Sequence, residues 1–293
     1  MREVWISHSH AKINLGLNVL ERLENGYHRI ETGFCFLEWK DRFSLTPSAR
    51  MQLEMSDPKI PVDDSNLIVK ALKLLAEEAG LKDEFHIKVE KHMPAGAGLG
   101  GGSSNAATIM RMANKVANLG LSVDDLIELG GRIGADVPFF IQGKTGIGSG
   151  IGNQIEELPI QPDAWIVTAF PNIESSTQEA YQFCEVNPEP DFSLKNVLLN
   201  EEPEEWQYLL MNDLEPAVFP RFNLVGNLKD QFYEFGASYA SMSGSGSSVF
   251  GIFNQDFVAI NAYESFHKLG FPANLTRPNF TPDLGVYKKE LEE

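Results

Sequence analysis

The stretch from Pro94 to Ser104, PAGAGLGGGSS, has the composition of a loop that binds phosphate. Five of its eleven residues are glycine, and it lies between a strand-like run, Ile87 to Val89, and an apolar-periodic segment beginning at Asn105. Glycine adopts positive φ without steric cost and lets its N–H approach a ligand closely. A following helix adds unpaired N–H groups and the positive end of its dipole. A flexible linker is the alternative, but linkers rarely stand between a strand and a helix, so we predict an anion site.

A lysine and an amide on one strand form a second candidate group. Apolar and polar residues alternate from Ile13 to Val19, which is the pattern of a half-buried strand. Lys12 and Asn14 are two residues apart, so their side chains project in the same direction. Taken alone, the pair is typical of a solvated strand face.

A carboxylate and a histidine complete the candidates. Asp136 lies in Gly134-Ala135-Asp136-Val137-Pro138, ahead of Phe139 to Ile141, an apolar run that we predict to be a strand. An aspartate beside a proline is common in turns, but the same position could hold a carboxylate rigidly for proton transfer. Tyr27 and His28 follow an Asn-Gly turn signal, and by itself His28 could be a packed surface histidine.

Strands and helices follow one another along the chain and would position these residues. Apolar and alternating runs predict strands at 4–6, 13–19, 34–39, 85–89, 139–141, 165–170 and 249–253. Helical spacing with capping residues predicts helices at 67–79, 105–117, 123–129, 177–183, 224–235 and 257–269. Residues 188–205, rich in proline and glutamate, are predicted to be a surface excursion.

A change of character near Glu156 to Pro159 predicts a domain boundary. We place an N-terminal domain that carries the glycine-rich loop at 1–156 and a C-terminal domain at 157–293. The second domain contains a glycine- and serine-rich loop, Ser241 to Ser248, which leads into a strand. This loop is equally typical of a tight turn and of a loop that packs against a phosphate site.

Composition limits the classes of function. The 293 residues include 41 acidic and 24 basic side chains, a formal net charge of −17, which opposes binding to nucleic acid or to anionic membranes. Any anionic ligand must be held by a local device such as the glycine-rich loop. Cys35 and Cys184 lack metal-ligand spacing and are predicted to be buried free thiols. With neither a signal peptide nor a bilayer-length apolar run, we expect a cytoplasmic protein.

Two familiar nucleotide motifs are disfavoured for the loop. It lacks the Gly-Lys-Ser/Thr ending of a Walker A loop. Gly96, Gly98 and Gly101 satisfy the dinucleotide pattern G-x-G-x-x-G, but that fold needs a second strand after the helix, with an acidic residue for the ribose. Here another helix is predicted from Ser122 onward, so a dinucleotide site is not expected.

The order of the motifs resembles the GHMP kinase superfamily, named for galactokinase, homoserine kinase, mevalonate kinase and phosphomevalonate kinase. The matching segments are Ala11 to Leu15, Gly26 to His28, Asp64 to Leu67, Pro94 to Ala107, Gly134 to Pro138, Asn212 to Glu215 and Met242 to Gly246. Each is moderately specific, whereas their joint order, from about Ala11 to Phe253, is highly specific. The resemblance implies an α+β protein with the GHMP kinase fold, two domains and an active site in the cleft between them.

Within that superfamily, the resemblance implies transfer of the γ-phosphate of ATP to the 2-hydroxyl of a cytidyl diphosphate polyol, a step of the non-mevalonate route to isoprenoid precursors. Asp136 matches the catalytic aspartate that would accept the hydroxyl proton. Lys12 matches its partner, which would keep Asp136 ionised and neutralise charge on the transferred group. Asn14 is expected to bind the substrate by orienting the hydroxyl or these side chains.

The resemblance also implies which residues bind each ligand. Asn66 would contact the adenosine region, His28 the cytosine edge, and Tyr27 and Tyr181 would stack on the cytosine ring. The triphosphate would be wrapped by Pro94, Ala95, Gly96, Ala97, Gly98, Leu99, Gly100, Gly101, Gly102, Ser103 and Ser104, with the two serine hydroxyls available to phosphate or Mg²⁺. Ala97 departs from relatives that have glycine there. No acidic residue is assigned to Mg²⁺, so phosphate oxygens and water are expected to hold it.

Two other functions remain compatible with the resemblance. Another small-molecule kinase of the superfamily, of the homoserine or mevalonate type, would share the loop but is disfavoured by Tyr27 and His28. A non-catalytic ligand sensor on the same fold would usually lack the catalytic residues, whereas Lys12 and Asp136 are both present.

Overall fold

Two β-sheets stacked face to face form the centre of the protein. The computed structural model describes residues 2–291. Numbered in chain order, the first sheet contains β1 (Arg2–Arg22), β2 (His28–Ser48), β3 (Gln52–Met55), β4 (Glu84–Glu90), β5 (Gly146–Ser149), β6 (Gln154–Glu157) and β11 (Tyr287–Leu291). The second sheet contains β7 (Trp165–Ala169), β8 (Tyr239–Met242), β9 (Val249–Phe253) and β10 (Ala273–Thr276).

The order of the strands is that of an α+β protein rather than a parallel doubly wound sheet. The first sheet has the order β11-β1-β2-β4-β3, with β5 pairing β2 and β6 pairing β5. Only the β3–β4 pair is parallel among the described pairs. The second sheet has the order β10-β7-β9-β8 and its pairs are antiparallel. The strand β4, which enters the glycine-rich loop, pairs antiparallel with β2, and the helix after the loop leads to another helix, Val123–Gly131, so a dinucleotide-binding arrangement is excluded.

Most helices cover the outer faces of the two sheets, and two short ones contribute to the layer between the sheets. The first half of the chain contains α1 (Leu67–Ala79), α2 (Gly101–Val116), α3 (Val123–Gly131) and α4 (Val137–Gln142). The second half contains α5 (Thr177–Phe183), α6 (Leu194–Asn200), α7 (Pro203–Leu209), α8 (Glu215–Val218), α9 (Asn223–Glu234) and α10 (Asp256–Lys268). Asn66 caps α1 as predicted, and Ser122 and Asp125 form the predicted capping box of α3.

The apolar core has three layers because both faces of each sheet are buried. Side chains alternate along a strand, so Phe34 and Phe36 face the helical layer, where they contact Phe139 of α4, whereas Cys35 and Leu37 face the second sheet. The far side of the second sheet packs on α9 and α10, where the ring centroids of Phe232 and Phe266 are 4.4 Å apart. The two cysteines are buried and free, as predicted. Within residues 2–291, no helix combines the length and the apolar composition that a membrane span requires.

One long strand, β1, replaces the two short strands that we predicted near the N-terminus. Its pairing with β2 shifts between His10 and Lys12, between Leu15 and Leu17, and between Val19 and Glu21. Such bulges bend a strand and re-aim its side chains. At the second shift Gly16 has a φ of +71°, a left-handed conformation that glycine adopts without strain.

The predicted strand at 139–141 is wrong: these residues lie in the helix α4. A short apolar run cannot distinguish a buried strand from a buried helix, and the flanking residues decide between them. Pro138 occupies the first turn, where its missing N–H costs nothing, and Gly143 ends the helix in a left-handed conformation. Phe139 and Phe140 are buried against Phe36, so burial rather than a sheet explains their apolar character.

The predicted surface excursion at 188–205 is wrong in its second half, which contains α6 and the start of α7. Leu198 and Trp206 are 7% and 4% exposed and belong to the layer between the sheets. A Cβ on Gly33 would lie 2.6 Å from Leu198 Cδ1, so α6 packs directly on β2. The proline and glutamate content of this segment is typical of an exposed loop, although the segment also forms short helices with apolar inner faces.

The last strand crosses the predicted domain boundary. β11 pairs with β1 from Arg2 to Ile6, so the end of the chain completes the first sheet. The division at 156 and 157 separates the two sheets in sequence apart from this strand and the last residue of β6, and it stays a prediction.

Leu198→Ala is expected to lower the free energy of unfolding by about 2–4 kcal/mol, because it removes a buried side chain from a close contact with β2. Leu199 is adjacent on the same helix and 42% exposed, so Leu199→Ala is a matched control expected to cost less than about 1 kcal/mol. Urea denaturation of both variants measures the difference. Equal effects would contradict the packing of α6 on β2.

Candidate active site

A cleft of about 1410 Å³ is lined by the glycine-rich loop and by part of the serine-rich loop that joins β8 to β9. Its walls contain the predicted catalytic residues Lys12 and Asp136 together with Asn14, Asn66 and the loop from Pro94 to Ser103. Tyr27, His28 and Tyr181 line the same cleft. The structure therefore brings together the predicted site residues with one exception, Ser104.

Lys12 lies in contact with two oxygen acceptors. Its Nζ is 2.6 Å from Asn14 Oδ1 and 3.5 Å from Asp136 Oδ2. The lysine and aspartate side chains are 6% and 30% exposed, so the ammonium is shielded while the carboxylate reaches the cleft. The ammonium also lies 5.3 Å from the centroid of the Phe34 ring. A solvated strand face is therefore the wrong interpretation of Lys12 and Asn14, because both faces of β1 are covered.

The carboxylate of Asp136 accepts no hydrogen bond from the helix that it precedes. Asp136 is the N-cap residue of α4, but its side chain makes no capping hydrogen bond. A cap carboxylate would normally accept from the first-turn amides. Here it faces Lys12 instead, and its remaining lone pairs are available to a group in the cleft.

The glycine-rich loop leads its backbone amides into the cleft. Gly96, Gly98 and Gly100 have φ values of +63°, +76° and +71°, which other residues rarely adopt. Gly100 caps α2, and the first bond of that helix is donated by the N–H of Ser104 to its carbonyl. The amides from Gly101 to Ser103 precede that bond, so they have no partner within the helix. This is the backbone of an anion site.

The glycine-rich loop packs directly on the serine-rich loop. The Gly98 carbonyl accepts a hydrogen bond of 3.0 Å from Ser243 Oγ, and the Ala97 carbonyl accepts one of 3.1 Å from Ser248 N–H. A Cβ on Gly98 would lie 2.2 Å from the Ser243 carbonyl oxygen, so only glycine fits. Ala97, the departure from relatives, is 2% exposed and fits this interface with a negative φ. Of the alternatives for the second loop, packing against the first loop is what the structure shows.

Two predicted ATP-binding residues are already engaged within the protein. The hydroxyl of Ser104 donates to the His10 carbonyl over 2.7 Å, and Ser104 is buried outside the cleft. Asn66 Oδ1 accepts from Ile68 N–H at 2.9 Å, and its Nδ2 donates to the Pro61 carbonyl at 2.7 Å. Of the two serine hydroxyls, Ser103 alone lines the cleft.

The aromatic residues lie at the other end of the cleft. The rings of His28 and Tyr181 stack with centroids 5.2 Å apart and planes at 29°. Tyr27 is 58% exposed, so the structure leaves it apart from this stack. Burial raises the pKa of Tyr181, and the nearby charge of Asp136 raises it further, which keeps the phenol neutral. Tyr181 therefore lies within reach of the charge of Asp136.

His28 is held in its neutral form. Burial lowers its pKa, and the charge of Arg22 lowers it further. Arg22 Nε donates to His28 Nε2 over 3.3 Å. Because a neutral imidazole has one acceptor and one donor nitrogen, this bond assigns the proton to Nδ1.

Asp41 is a residue of this region that the sequence analysis missed. It is fully buried and pairs with Lys91, which lines the cleft below the loop. Its carboxylate also accepts from the N–H groups of His92 and Met93 at 2.8 and 2.9 Å and from Asn105 Nδ2 at 3.0 Å. The Asp41 carboxylate thus connects β2 with the entry to the loop and with the helix α2 through hydrogen bonds. No local pattern marks Asp41, because its partners are about 50 and 64 residues away.

The motif Asn212 to Glu215 supports the second loop. Asn212 Nδ2 donates to the carbonyls of Met242 and Gly244 at 2.8 and 2.9 Å. Asp213 accepts from Val19 N–H at 2.8 Å, so the same segment is fastened to β1. In the sequence this motif contributes only to the resemblance, whereas its contacts with the second loop and with β1 are evident in the structure.

The charge of the cleft differs from that of the whole protein. Its lining includes four basic side chains, Lys12, Arg22, Lys59 and Lys91, and three acidic ones, Asp57, Asp136 and Glu174. The cleft is therefore nearly balanced in a protein whose formal net charge is −17. Residues 2–291 contain no group of three or more His, Cys, Asp or Glu side chains arranged to hold a metal.

Comparison with known proteins identifies the family. The model of the GHMP kinases N terminal domain matches residues 66–144, and that of the GHMP kinases C terminal domain matches residues 194–271. A protein of Chlorobium limicola named 4-diphosphocytidyl-2-C-methyl-D-erythritol kinase is 39% identical over 278 residues, which cover 93% of this chain and 96% of the relative. The chain belongs to this kinase family. A kinase of the same name from Chloroherpeton thalassium is 38% identical over 277 residues, 93% of this chain and 97% of the relative.

Solved structures show the same fold. A crystal structure of 4-(cytidine 5'-diphospho)-2C-methyl-D-erythritol kinase has a TM-score of 0.77 at 30% identity and covers 92% of this chain and 98% of its own. Mevalonate kinase of Methanococcus jannaschii has a TM-score of 0.70 at 14% identity, covering 93% of this chain and 98% of its own. The second likeness shows the fold alone. The predicted α+β GHMP kinase fold and the kinase function are confirmed, with ATP as the phosphoryl donor, in preference to the sensor and to the other kinase types.

Gly98→Ala is expected to lower the free energy of unfolding by about 2–4 kcal/mol, because a Cβ at this position overlaps the carbonyls of the second loop. Gly120 has nearly the same φ, +74°, but a Cβ there meets nothing within 4 Å. Gly120→Ala is therefore the matched control, and it should cost only the left-handed strain of about 1–2 kcal/mol. Urea denaturation gives both values, and equal costs would contradict the close contact of the two loops.

Proposed function

We propose that the protein transfers the γ-phosphate of ATP to the 2-hydroxyl of 4-diphosphocytidyl-2-C-methyl-D-erythritol, in the non-mevalonate route to isoprenoid precursors. The observation that carries this proposal is the position of the Lys12 and Asp136 pair. A Cβ on Gly100 would be 3.2 Å from Lys12 Cε, and the charge of Asp136 acts on Tyr181. The pair thus lies between the phosphate loop and the aromatic end, where donor and acceptor would meet.

The glycine-rich loop would hold the triphosphate. The amides from Gly101 to Ser103 and the N-terminus of α2 supply partial positive charge, and Lys12 and Lys91 supply formal charge nearby. Asn66 lies at the edge of the cleft where the adenosine would rest, and it would contact that group while capping α1. Phosphoryl transfer depends on positioning and electrostatic stabilisation, and this loop provides both.

Asp136 and Lys12 would carry out the proton transfer and the charge stabilisation. As the acceptor oxygen bonds to the γ-phosphorus and the bond to the β-phosphate oxygen breaks, the hydroxyl proton passes to the Asp136 carboxylate and ADP leaves. Lys12, 3.5 Å from that carboxylate, favours its ionised form and neutralises charge on the transferred group. Asn14 holds Lys12 over 2.6 Å and so fixes the ammonium.

The cytidine end of the acceptor would occupy the aromatic part of the cleft. Tyr181 offers a ring face near Asp136, and Tyr27, exposed across the cleft, would cover the opposite face of the cytosine. His28 would donate its Nδ1 proton to an acceptor on the base edge, since Arg22 occupies Nε2.

Magnesium and cellular location complete the proposal. The donor set fits an ion held mainly by ATP, because Ser103 offers one hydroxyl in the cleft and phosphate oxygens supply hard ligands that Mg²⁺ prefers. Bound with ATP, Mg²⁺ would neutralise charge on the phosphate oxygens.

The two buried free thiols, Cys35 and Cys184, favour a reducing compartment, and the cytoplasm stays our prediction.

A substrate panel tests the proposed acceptor. ADP release is measured with ATP, Mg²⁺ and either the cytidyl diphosphate substrate, homoserine or mevalonate. We expect turnover with the cytidyl diphosphate substrate at a kcat/KM at least about a hundredfold above the other two, because only that substrate engages the aromatic end. Activity confined to homoserine or mevalonate would overturn the acceptor and leave the kinase assignment in place.

Asp136→Asn is expected to lower kcat by about a thousandfold or more, because the amide has the same shape but does not accept a proton at neutral pH. The KM values for ATP and the acceptor should change by less than about fivefold, since the side chain keeps its size. Steady-state kinetics and thermal unfolding check the result. A folded variant with near-normal kcat would remove Asp136 as the base.

A further inference from the structure

We propose that Thr32, a buried residue of β2 outside the cleft lining, is a positioning residue that fixes the Lys12 and Asp136 pair through the side chain of Asn14. The inference rests on the proposed function, because it concerns the catalytic pair named there. Thr32 is fully buried and lies opposite Leu17, one residue beyond the bulge of β1. Its side chain contacts the amide of Asn14 rather than a ligand position.

The bulge in β1 supplies the first contact of this chain of hydrogen bonds. Pairing shifts from Leu15 opposite Gly33 to Leu17 opposite Thr32, so Gly16 has no partner in the ladder. The Gly16 carbonyl accepts a hydrogen bond of 2.6 Å from the Thr32 hydroxyl. In a regular strand the Gly16 carbonyl would accept a hydrogen bond from the neighbouring strand. At the bulge it has no such donor, and the buried Thr32 hydroxyl provides one.

A hydroxyl has one proton, and this fixes the direction of the next bond. Since Thr32 Oγ1 donates to Gly16, it accepts from Asn14 Nδ2, which lies 2.9 Å away. The amide of Asn14 must then present Oδ1 on its other side. That oxygen is 2.6 Å from Lys12 Nζ, and Asn14 is only 3% exposed, so water does not compete for it.

The last contact reaches the reaction itself. Lys12 Nζ is 3.5 Å from Asp136 Oδ2, and its other close acceptor is Asn14 Oδ1. Without the Thr32 hydroxyl, Asn14 Nδ2 would be a buried donor without a partner, and the amide would rotate to satisfy it. Rotation withdraws the oxygen from Lys12 and lets the ammonium move away from its catalytic position. Displacements of about 1 Å at such a group lower turnover by up to about a hundredfold.

Thr32→Val tests this role, because valine keeps the shape and the β propensity of threonine and removes only the hydroxyl. We expect kcat to fall at least about tenfold while the KM values for ATP and the acceptor change by less than about threefold, since Thr32 touches neither ligand. Thr32→Ser restores the hydroxyl and should keep kcat within about threefold of the wild type. Thermal unfolding of each variant confirms that it is folded, and Thr32→Ala serves as a second variant without the hydroxyl.

A matched control separates this effect from the loss of any buried hydroxyl. Thr168 is also fully buried in a strand, and in the part of the chain that the structure describes its Oγ1 has no hydrogen-bond partner. Thr168→Val should therefore leave kcat unchanged. A fall in kcat equal to that of Thr32→Val would assign the effect to the general stability of the fold and overturn the proposal.

A double-mutant cycle shows whether Thr32 acts through Asn14. In an Asn14→Ala background, Thr32→Val should lower kcat by less than about twofold, because the intermediate amide is absent. The proposal is overturned if Thr32→Val keeps its full effect in that background, if its kcat is near normal alone, or if folded Thr32→Ser is as inactive as Thr32→Val. Should the wild type prefer another alcohol, the proposed acceptor fails, and the same cycle measured with that alcohol still decides the role of Thr32.

Discussion

A lysine ammonium held away from bulk water is the constraint on which the active site depends. Lys12 lies on a strand covered on both faces, and an unpaired charge in such a place is very unfavourable. The oxygens of Asn14 and Asp136 and the ring of Phe34 offset the free energy of removing this charge from water. These groups come from β1, β2 and the start of α4. The ammonium therefore determines how these three elements must be placed relative to one another.

Contact between two loops from distant parts of the chain closes the other side of the site. Gly98 approaches the carbonyls of Ser243 and Gly246 too closely for any side chain, and a Cβ on Gly244 would lie 3.1 Å from Asn14 Oδ1. Asn212 donates hydrogen bonds to the second loop, and its backbone pairs with Leu17 of β1. Glycine thus serves two purposes here. It leaves backbone amides free to bind an anion, and it lets the two loops pack closely beside β1.

Some supporting residues of the site could not be found from local sequence patterns. Lys12 and Asp136 were predicted because each lies in a short motif that resembles a known family. Asp41 and Thr32 lie in ordinary strand sequence. The partners of Thr32, at 14 and 16, are set by the pairing of β1 with β2, and those of Asp41, at 92, 93 and 105, by the packing of the loop entry and α2 on β2. Ser104 was predicted in the cleft from its place in the loop. Its hydroxyl instead binds the His10 carbonyl, since the residue falls on the inner face of α2.

The sequence by itself determined the position of the glycine-rich loop and most of the regular elements, because capping residues, alternation and glycine act over a few neighbouring residues. The order of its short motifs determined the family, and with it the class of chemistry and the proposed roles of Lys12 and Asp136. It left undetermined what depends on distant contacts. The apolar run at 139–141 is compatible with a strand or a helix by its own composition, and its burial against Phe36 of β2 is a contact between residues about 100 positions apart. The segment at 188–205 looked solvated, yet Leu198 is buried by a strand some 160 residues away in sequence. Only tertiary packing decided these features, because burial and hydrogen-bond partners across the chain are properties of the folded protein.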